Sequence, residues 1–180
     1  ETPGKIGSRL VTTLQRNGYP GTIWPVNPGR ATIHGLPAFA NLAALPAPAD
    51  LAILCVPAPS IPEALEDGAA RGIANFIIVS SGFAETGPEG AVLQERVMQI
   101  GRSHGLNISG PNSEGFYNVP GRIAATFSPA VNIDPGKPGP RPRVGVVAQS
   151  GGLGFAIYNR GRAEGLDFST IASVGNQADL

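Results

Sequence analysis

The chain has 180 residues, with 13 basic and 13 acidic side chains and a formal net charge of zero. Without a basic excess it lacks the electrostatic footprint of a general nucleic-acid binder, and no apolar run approaches the roughly 20 residues needed to span a bilayer. Its 25 Gly and 18 Pro come near the level at which chains disorder, but apolar runs such as Leu51 to Val56 and Phe76 to Val79 require buried strands. No signal peptide is evident, so a cytoplasmic location is expected. The lone Cys55 has no partner for an internal disulfide and reads as a small core residue inside a strand.

The pattern opens with Gly4-Lys5-Ile6-Gly7, a turn into a helix whose apolar face is Ile6, Leu10, Val11 and Leu14, stopped by Gly18. A mononucleotide-binding unit places a strand before such a turn, so the first strand is expected to be missing. A strand from Thr22 to Val26 and a Pro28-Gly29 turn follow. A short helix around Asn41 to Leu45 leads to a buried strand, Asp50 to Val56. Ser60-Ile61-Pro62-Glu63 reads as a capping box opening the next helix, which Gly72 ends. Asn75 to Val79 is a strand. Pro88 to Ser103 is a long helix with Val92, Val97 and Ile100 inward, closed by Gly105. Leu106 to Ser109 is a short strand before a Gly110-Pro111-Asn112 turn. Residues 113 to 134 read as irregular, with a hairpin through Ile123 to Phe127.

Residues 135 to 142 are a Pro/Gly-rich linker. Beyond them the pattern restarts with a strand Arg143 to Ala148, a helix Gly152 to Glu164 and a strand Phe168 to Val174. Alternating strands and helices predict an α/β fold with a mostly parallel sheet. The expected division is a domain over 1–134, a linker over 135–142 and the beginning of a second domain over 143–180.

Open α/β sheets bind ligands at the carboxyl ends of their strands, and several short segments fall there. Gly4, Lys5, Ile6 and Gly7 offer helix N-terminal N–H groups and charge to an anion, or serve only as a packing turn. Asn27, Pro28 and Arg30 end the second strand. A dinucleotide dehydrogenase needs an acidic residue there. Arg30 instead suits a phosphorylated ribose, or is simply a solvated loop arginine. Val56 and Pro57 form either one wall of an adenine slot or a plain strand stop. Ser80, Ser81 and Gly82 permit close ligand approach, and Asn112 both donates and accepts hydrogen bonds. Ser150, Gly151 and Gly152 make another anion site between strand and helix. They imitate a nucleophile elbow, but the only histidines, His34 and His104, lie upstream, so phosphate binding is the better reading. Neither histidine has the partners of a metal site, and no metal is expected.

The run Pro3 to Gly7, Val26-Asn27-Pro28, Val56-Pro57-Ala58, Gly110-Pro111-Asn112, Ser150-Gly151-Gly152 and Val174-Gly175-Asn176 resembles the NDP-forming acyl-CoA synthetases, relatives of the succinyl-CoA synthetase alpha subunit and ADP-forming acetyl-CoA synthetase. The resemblance covers nearly the whole chain. It implies a Rossmann-like, parallel-sheet CoA-binding domain followed by the start of a flavodoxin-like ligase domain.

By that likeness Gly4, Lys5 and Ile6 would contact CoA phosphates, with Gly7 in the same turn, and Arg30, beyond Asn27 and Pro28, would meet the phosphorylated ribose. Val56 and Pro57 would flank adenine. Ser80 and Ser81, next to Gly82, would line the pantetheine route, and Asn112 would sit near the thiol. Ser150, Gly151 and Gly152 would steady a phosphoryl group, and Phe155 would contact the acyl substrate.

The family's phosphorylated histidine is expected downstream of Leu180, so no catalytic residue is assigned within the chain. ATP or ADP and Mg2+ would belong to an ATP-grasp domain or subunit. The implied partners are CoA, a small carboxylic acid and that ATP-grasp part, in an oligomer. Ser113 stands where relatives often carry Cys, which excludes a thiol role there. Two other readings remain open: a regulatory CoA-binding module fused to a protein acetyltransferase, and an NAD-binding oxidoreductase domain.

Overall fold

The computed structural model describes residues 5–132 and 143–178. Among them the chain divides into two compact units, one built on residues 22–113 and 176 onward, the other on residues up to 21 and 114–175.

The first unit is built around three parallel strands, β3 (Ala52–Leu54), β4 (Asn75–Ile78) and β5 (Asn107–Ser109), paired in sequence order. Helix α2 (Ile61–Ala70) connects the first two and α3 (Pro88–His104) the last two. Parallel neighbours need such crossovers, because a tight turn only reverses the chain. Leu54, Ile61, Leu65, Phe76, Ile78, Phe83 and Val97 form a continuous core between sheet and helices. Two glycines bring the helices close: a Cβ at Gly68 of α2 would lie 2.6 Å from the Phe76 ring, and one at Gly101 of α3 2.9 Å from Ile108. A two-stranded hairpin, β1 (Thr32–Ile33) with β2 (Leu36–Pro37), turns at His34-Gly35, both with positive φ.

The second unit holds a four-stranded sheet in the order β7-β6-β9-β8. Strands β6 (Gly115–Asn118) and β7 (Ile123–Thr126) form an antiparallel hairpin, and β6 also pairs antiparallel with β9 (Phe168–Ser173). The parallel partner of β9 is β8 (Val144–Ala148), connected to it by α4 (Gly151–Ala163). Helix α1 (Ile6–Arg16) packs on β7 through the face that buries Leu10, Thr13 and Leu14. Tyr117, Phe155, Tyr158, Phe168 and Ile171 fill the core, with Tyr158 edge-on to both Tyr117 and Phe168.

The expected α/β class with parallel pairing is present, and five expectations need correction. The strand from Thr22 to Val26 is reduced to a single parallel bridge between Val26 and Phe39. Pro25 has no N–H to donate, so a ladder cannot run through it. Ser60 does not cap α2 with its side chain; its backbone is already helical (φ −89°, ψ −6°), because a 3-10 turn, Ala58–Ser60, runs into the helix. Val92 is 73% exposed. The buried line of α3 runs instead through Gly90, Leu93, Val97, Ile100 and Gly101, and Val92 lies about 100° around the helix from Leu93.

Cys55 lies one residue beyond β3 and is exposed, not a core residue. Surrounding protein still desolvates its thiol and pushes it up to about 12, so exposure does not make it a thiolate. Finally, residues 113 to 132 are less irregular than expected, since β6 and β7 continue the second sheet. The two units therefore divide near Ser113, and α1 groups with the later residues. The expected linker over 135–142 lies outside the described residues.

Candidate functional site

In the first unit the carboxyl ends of β3, β4 and β5 lie side by side, because Leu54 is in register with Ile78 and Ile77 with Ser109. The loops leaving them are laced together. The Val79 N–H donates to the Leu54 carbonyl (3.0 Å), Ser113 N–H to Ile78 (3.2 Å) and Asn112 N–H to Ser80 (2.9 Å). The Ser80 hydroxyl donates to the Val56 carbonyl at 2.5 Å. Val56, Pro57, Ser81 and Asn112 remain exposed, while Ser80 and Gly82 are half-buried.

Asn27, Pro28 and Arg30 follow the Val26 bridge in a tight turn. The Asn27 side-chain oxygen accepts from the Gly29 N–H at 2.9 Å, an Asx turn. Arg30 is exposed. Of the residues expected from the sequence, Asn27, Pro28, Arg30, Val56, Pro57, Ser80, Ser81, Gly82 and Asn112 thus fall in one unit.

The remaining expected residues that are described belong to the second unit. Gly4 lies outside the described residues. Lys5 is exposed at the N-cap of α1 and makes no side-chain cap bond, and Ile6 and Gly7 form the first turn. Their N–H groups carry the positive end of the helix dipole. Arg9, one turn on, is already engaged: it donates to the Phe127 carbonyl (2.6 Å) and lies over the Phe127 ring at 5.6 Å.

At the other anion-binding candidate, Ser150 caps α4 by accepting from the Leu153 N–H at 3.4 Å. The Glu114 side chain lies directly against Gly151, where an added Cβ would collide with it. Burial pushes the Glu114 carboxyl up, against the hydrogen bond from Ser128 and the charge of Arg9. The opening turn of α4 thus already faces a carboxyl group of the protein, one that a second anion must accommodate. Phe155, expected against an acyl group, is 2% exposed. Its ring packs in the second core cluster.

His34 sits in the β1–β2 turn and His104 ends α3. Among the described residues no group of three His, Cys, Asp or Glu side chains could hold a metal ion, and no helix is long and apolar enough to cross a membrane. Sequence reasoning gave no role to Glu85, which carries the polar contacts behind the β4 loop. Two of its partners, the Gly82 and Phe83 N–H groups, are local, but the third, Asn176, lies 91 positions away and no local pattern announces it.

Residues 1–118 match the family described as CoA binding domain, and residues 141–180 match the succinyl-CoA ligase like flavodoxin domain. The alpha subunit of the ADP-forming acetate–CoA ligase I of Pyrococcus furiosus is 35% identical over 182 residues, taking in 99% of this chain and 38% of that protein. The ADP-forming acetate–CoA ligase II of Archaeoglobus fulgidus is also 35% identical, across 99% of this chain and 26% of its own length. Among solved structures, the dinucleotide forming acetyl-coenzyme A synthetase 1 of Ca. Korarchaeum cryptofilum, in complex with phosphate and ADP, superposes with a TM-score of 0.88 at 32% identity. That comparison covers 100% of this chain and 37% of the synthetase. The chain thus spans well under half the length of these relatives. The match over residues 1–118 shows that the chain belongs to the CoA-binding domain family, in the form found in the NDP-forming acyl-CoA synthetases.

Proposed function

We propose that the chain is the CoA-binding portion of an acyl-CoA synthetase that interconverts an acid, CoA and ATP with acyl-CoA, ADP and phosphate. The acyl phosphate and phosphohistidine steps of that reaction would use residues outside this chain. The observation that carries the reading is the set of three parallel strand ends, within the segment that matches the CoA-binding family.

The donor set there suits CoA chemistry. Arg30 offers a cation to the 3′-phosphate. Val56 and Pro57 offer an apolar wall to adenine. Ser81 and Asn112 offer exposed hydrogen-bonding groups to pantetheine amides. The Ser80 hydroxyl donates to the Val56 carbonyl, which holds the loop and leaves its oxygen to accept from a pantetheine amide. For residues 4–7, contact with CoA phosphates follows from the family likeness alone.

CoA supplies the thiol that accepts the acyl group. The chain's own contribution is to hold that thiol oriented, which converts an encounter into a near-unimolecular step. The turn of Ser150, Gly151 and Gly152 would steady a phosphoryl group through fixed N–H dipoles. For Phe155, whose ring is buried in the second core cluster, contact with the acyl group follows from the family likeness alone. ATP or ADP with Mg2+ would bind an ATP-grasp domain or subunit, and a small carboxylic acid and an oligomeric, cytoplasmic enzyme complete the reading. The proposed division keeps residues 1–134 as the CoA-binding region and 143–180 as the opening of the ligase region.

Calorimetric titration with CoA, dephospho-CoA and NAD tests the reading. CoA should bind more tightly than dephospho-CoA by about tenfold or more, a typical charge-assisted contribution. Arg30→Ala should erase most of that difference while leaving dephospho-CoA affinity unchanged. NAD binding as well as CoA would sink the proposal.

A further inference from the structure

Asn176 stands in the Val174-Gly175-Asn176 segment, to which the proposed function gives no task. Its backbone N–H donates to the Pro111 carbonyl at 2.9 Å, and the Ala178 N–H donates to Gly110 at 3.1 Å. Its side-chain amide donates to Glu85 Oε2 and, at 3.0 Å, to Gln94 Oε1. Its Oδ1 faces the Asn112 amide at 3.5 Å. Every polar atom of the side chain therefore has a partner.

Glu85 is the other centre of this network. Its Oε1 accepts from the Gly82 N–H (2.6 Å) and the Phe83 N–H (3.2 Å), which fixes the loop after β4. Its Oε2 takes Asn176. Burial pushes the Glu85 carboxyl up, but the bonds from Asn176, Gly82 and Phe83 outweigh it and hold it below its ordinary value. An ionised carboxylate only accepts. It therefore turns the Asn176 amide so that NH2 faces Glu85 and oxygen faces Asn112.

We propose that Glu85 and Asn176 are positioning residues that set the distance between the Ser80–Gly82 loop and the Gly110–Asn112 loop, and so orient the pantetheine arm of CoA and its thiol. This rests on the CoA-binding reading above. Neither residue needs to touch CoA. The chain of contacts is Gly82 to Glu85, Glu85 to Asn176, Asn176 to Pro111 and Asn112. Breaking its middle link leaves the two loops joined only through backbone, by the Asn112 N–H bond to the Ser80 carbonyl, with nothing to fix the angle between them.

The test compares two ligands. CoA carries the pantetheine arm, whereas adenosine 3′,5′-bisphosphate has only the adenine half. The chain and its Asn176→Ala and Glu85→Gln variants are titrated with each. Glu85→Gln keeps shape and size but can place an NH2 against the Asn176 NH2, so that one end of the link must break. Each variant should bind CoA about tenfold more weakly, the usual scale for a lost charge-assisted bond, and the bisphosphate within about twofold of the parent. The double variant should be no worse than the weaker single, as expected for residues acting as one unit.

Unchanged CoA affinity in both variants overturns the proposal. Equal losses for both ligands overturn it too, since that marks a general folding role. Should Asn176→Ala fail to fold, the near-isosteric Glu85→Gln decides alone. Failure of the parent chain to bind CoA would instead strike the proposed function.

Discussion

Gly110 meets two constraints at once. Its φ is +107°, outside the range L side chains adopt, and a Cβ there would lie 2.5 Å from the Ile78 carbonyl oxygen. That carbonyl accepts the Ser113 N–H and cannot simply move. Gly35 isolates the first constraint, because its φ is +78° but nothing lies within 4 Å of where a Cβ would sit. Gly35→Ala should therefore cost about 1 kcal/mol, the conformational penalty alone, while Gly110→Ala should cost about 3 kcal/mol once overpacking is added. Urea unfolding of the two variants measures both, and equal costs would refute the crowding argument. Gly110 was legible in the sequence because Gly-Pro-Asn after an apolar run marks a strand end. Glu85 and Asn176 were not, since they lie 91 positions apart and only the fold brings them together.

Elements were legible wherever their signals were local and repeated. The strands Asn75–Ile78 and Val144–Ala148 and the Gly105 stop of α3 follow from apolar runs and a left-handed glycine. Reading failed where one residue had two competing roles. Ser60 carries the chemistry of a cap, but the preceding 3-10 turn gives it helical backbone and no cap bond. Ser150 has extended backbone (φ −83°, ψ 118°) and does accept from Leu153. Replacing each by Ala separates the cases. Ser60→Ala should change stability by less than about 0.5 kcal/mol, as at an ordinary surface position. Ser150→Ala should lose about 1 kcal/mol, the worth of a formed N-cap. Thermal unfolding followed by circular dichroism reads both, and a larger loss at Ser60 would contradict the assignment.

Across the whole molecule the candidate contacts fall into two classes with different physical origins. In the first unit they are loops at parallel strand ends, tied to one another by backbone hydrogen bonds. In the second they are the opening turns of α1 and α4, where helix geometry leaves N–H groups without intrahelical partners. Amide hydrogen exchange distinguishes the two, because a ligand slows exchange where it orders backbone or covers an N–H. Saturating CoA should slow exchange in residues 55–59, 79–83 and 110–113, with a further effect at the first turn of α1. Inorganic phosphate alone should slow the opening turn of α4 and leave the loops after β3 and β5 unchanged. The Glu114 carboxyl beside Gly151 opposes that anion, so Glu114→Gln should enlarge the phosphate effect without altering the CoA effect. CoA protection confined to α4, or a phosphate effect that Glu114→Gln abolishes, would mean that the assignment of anion and CoA contacts to these segments is wrong.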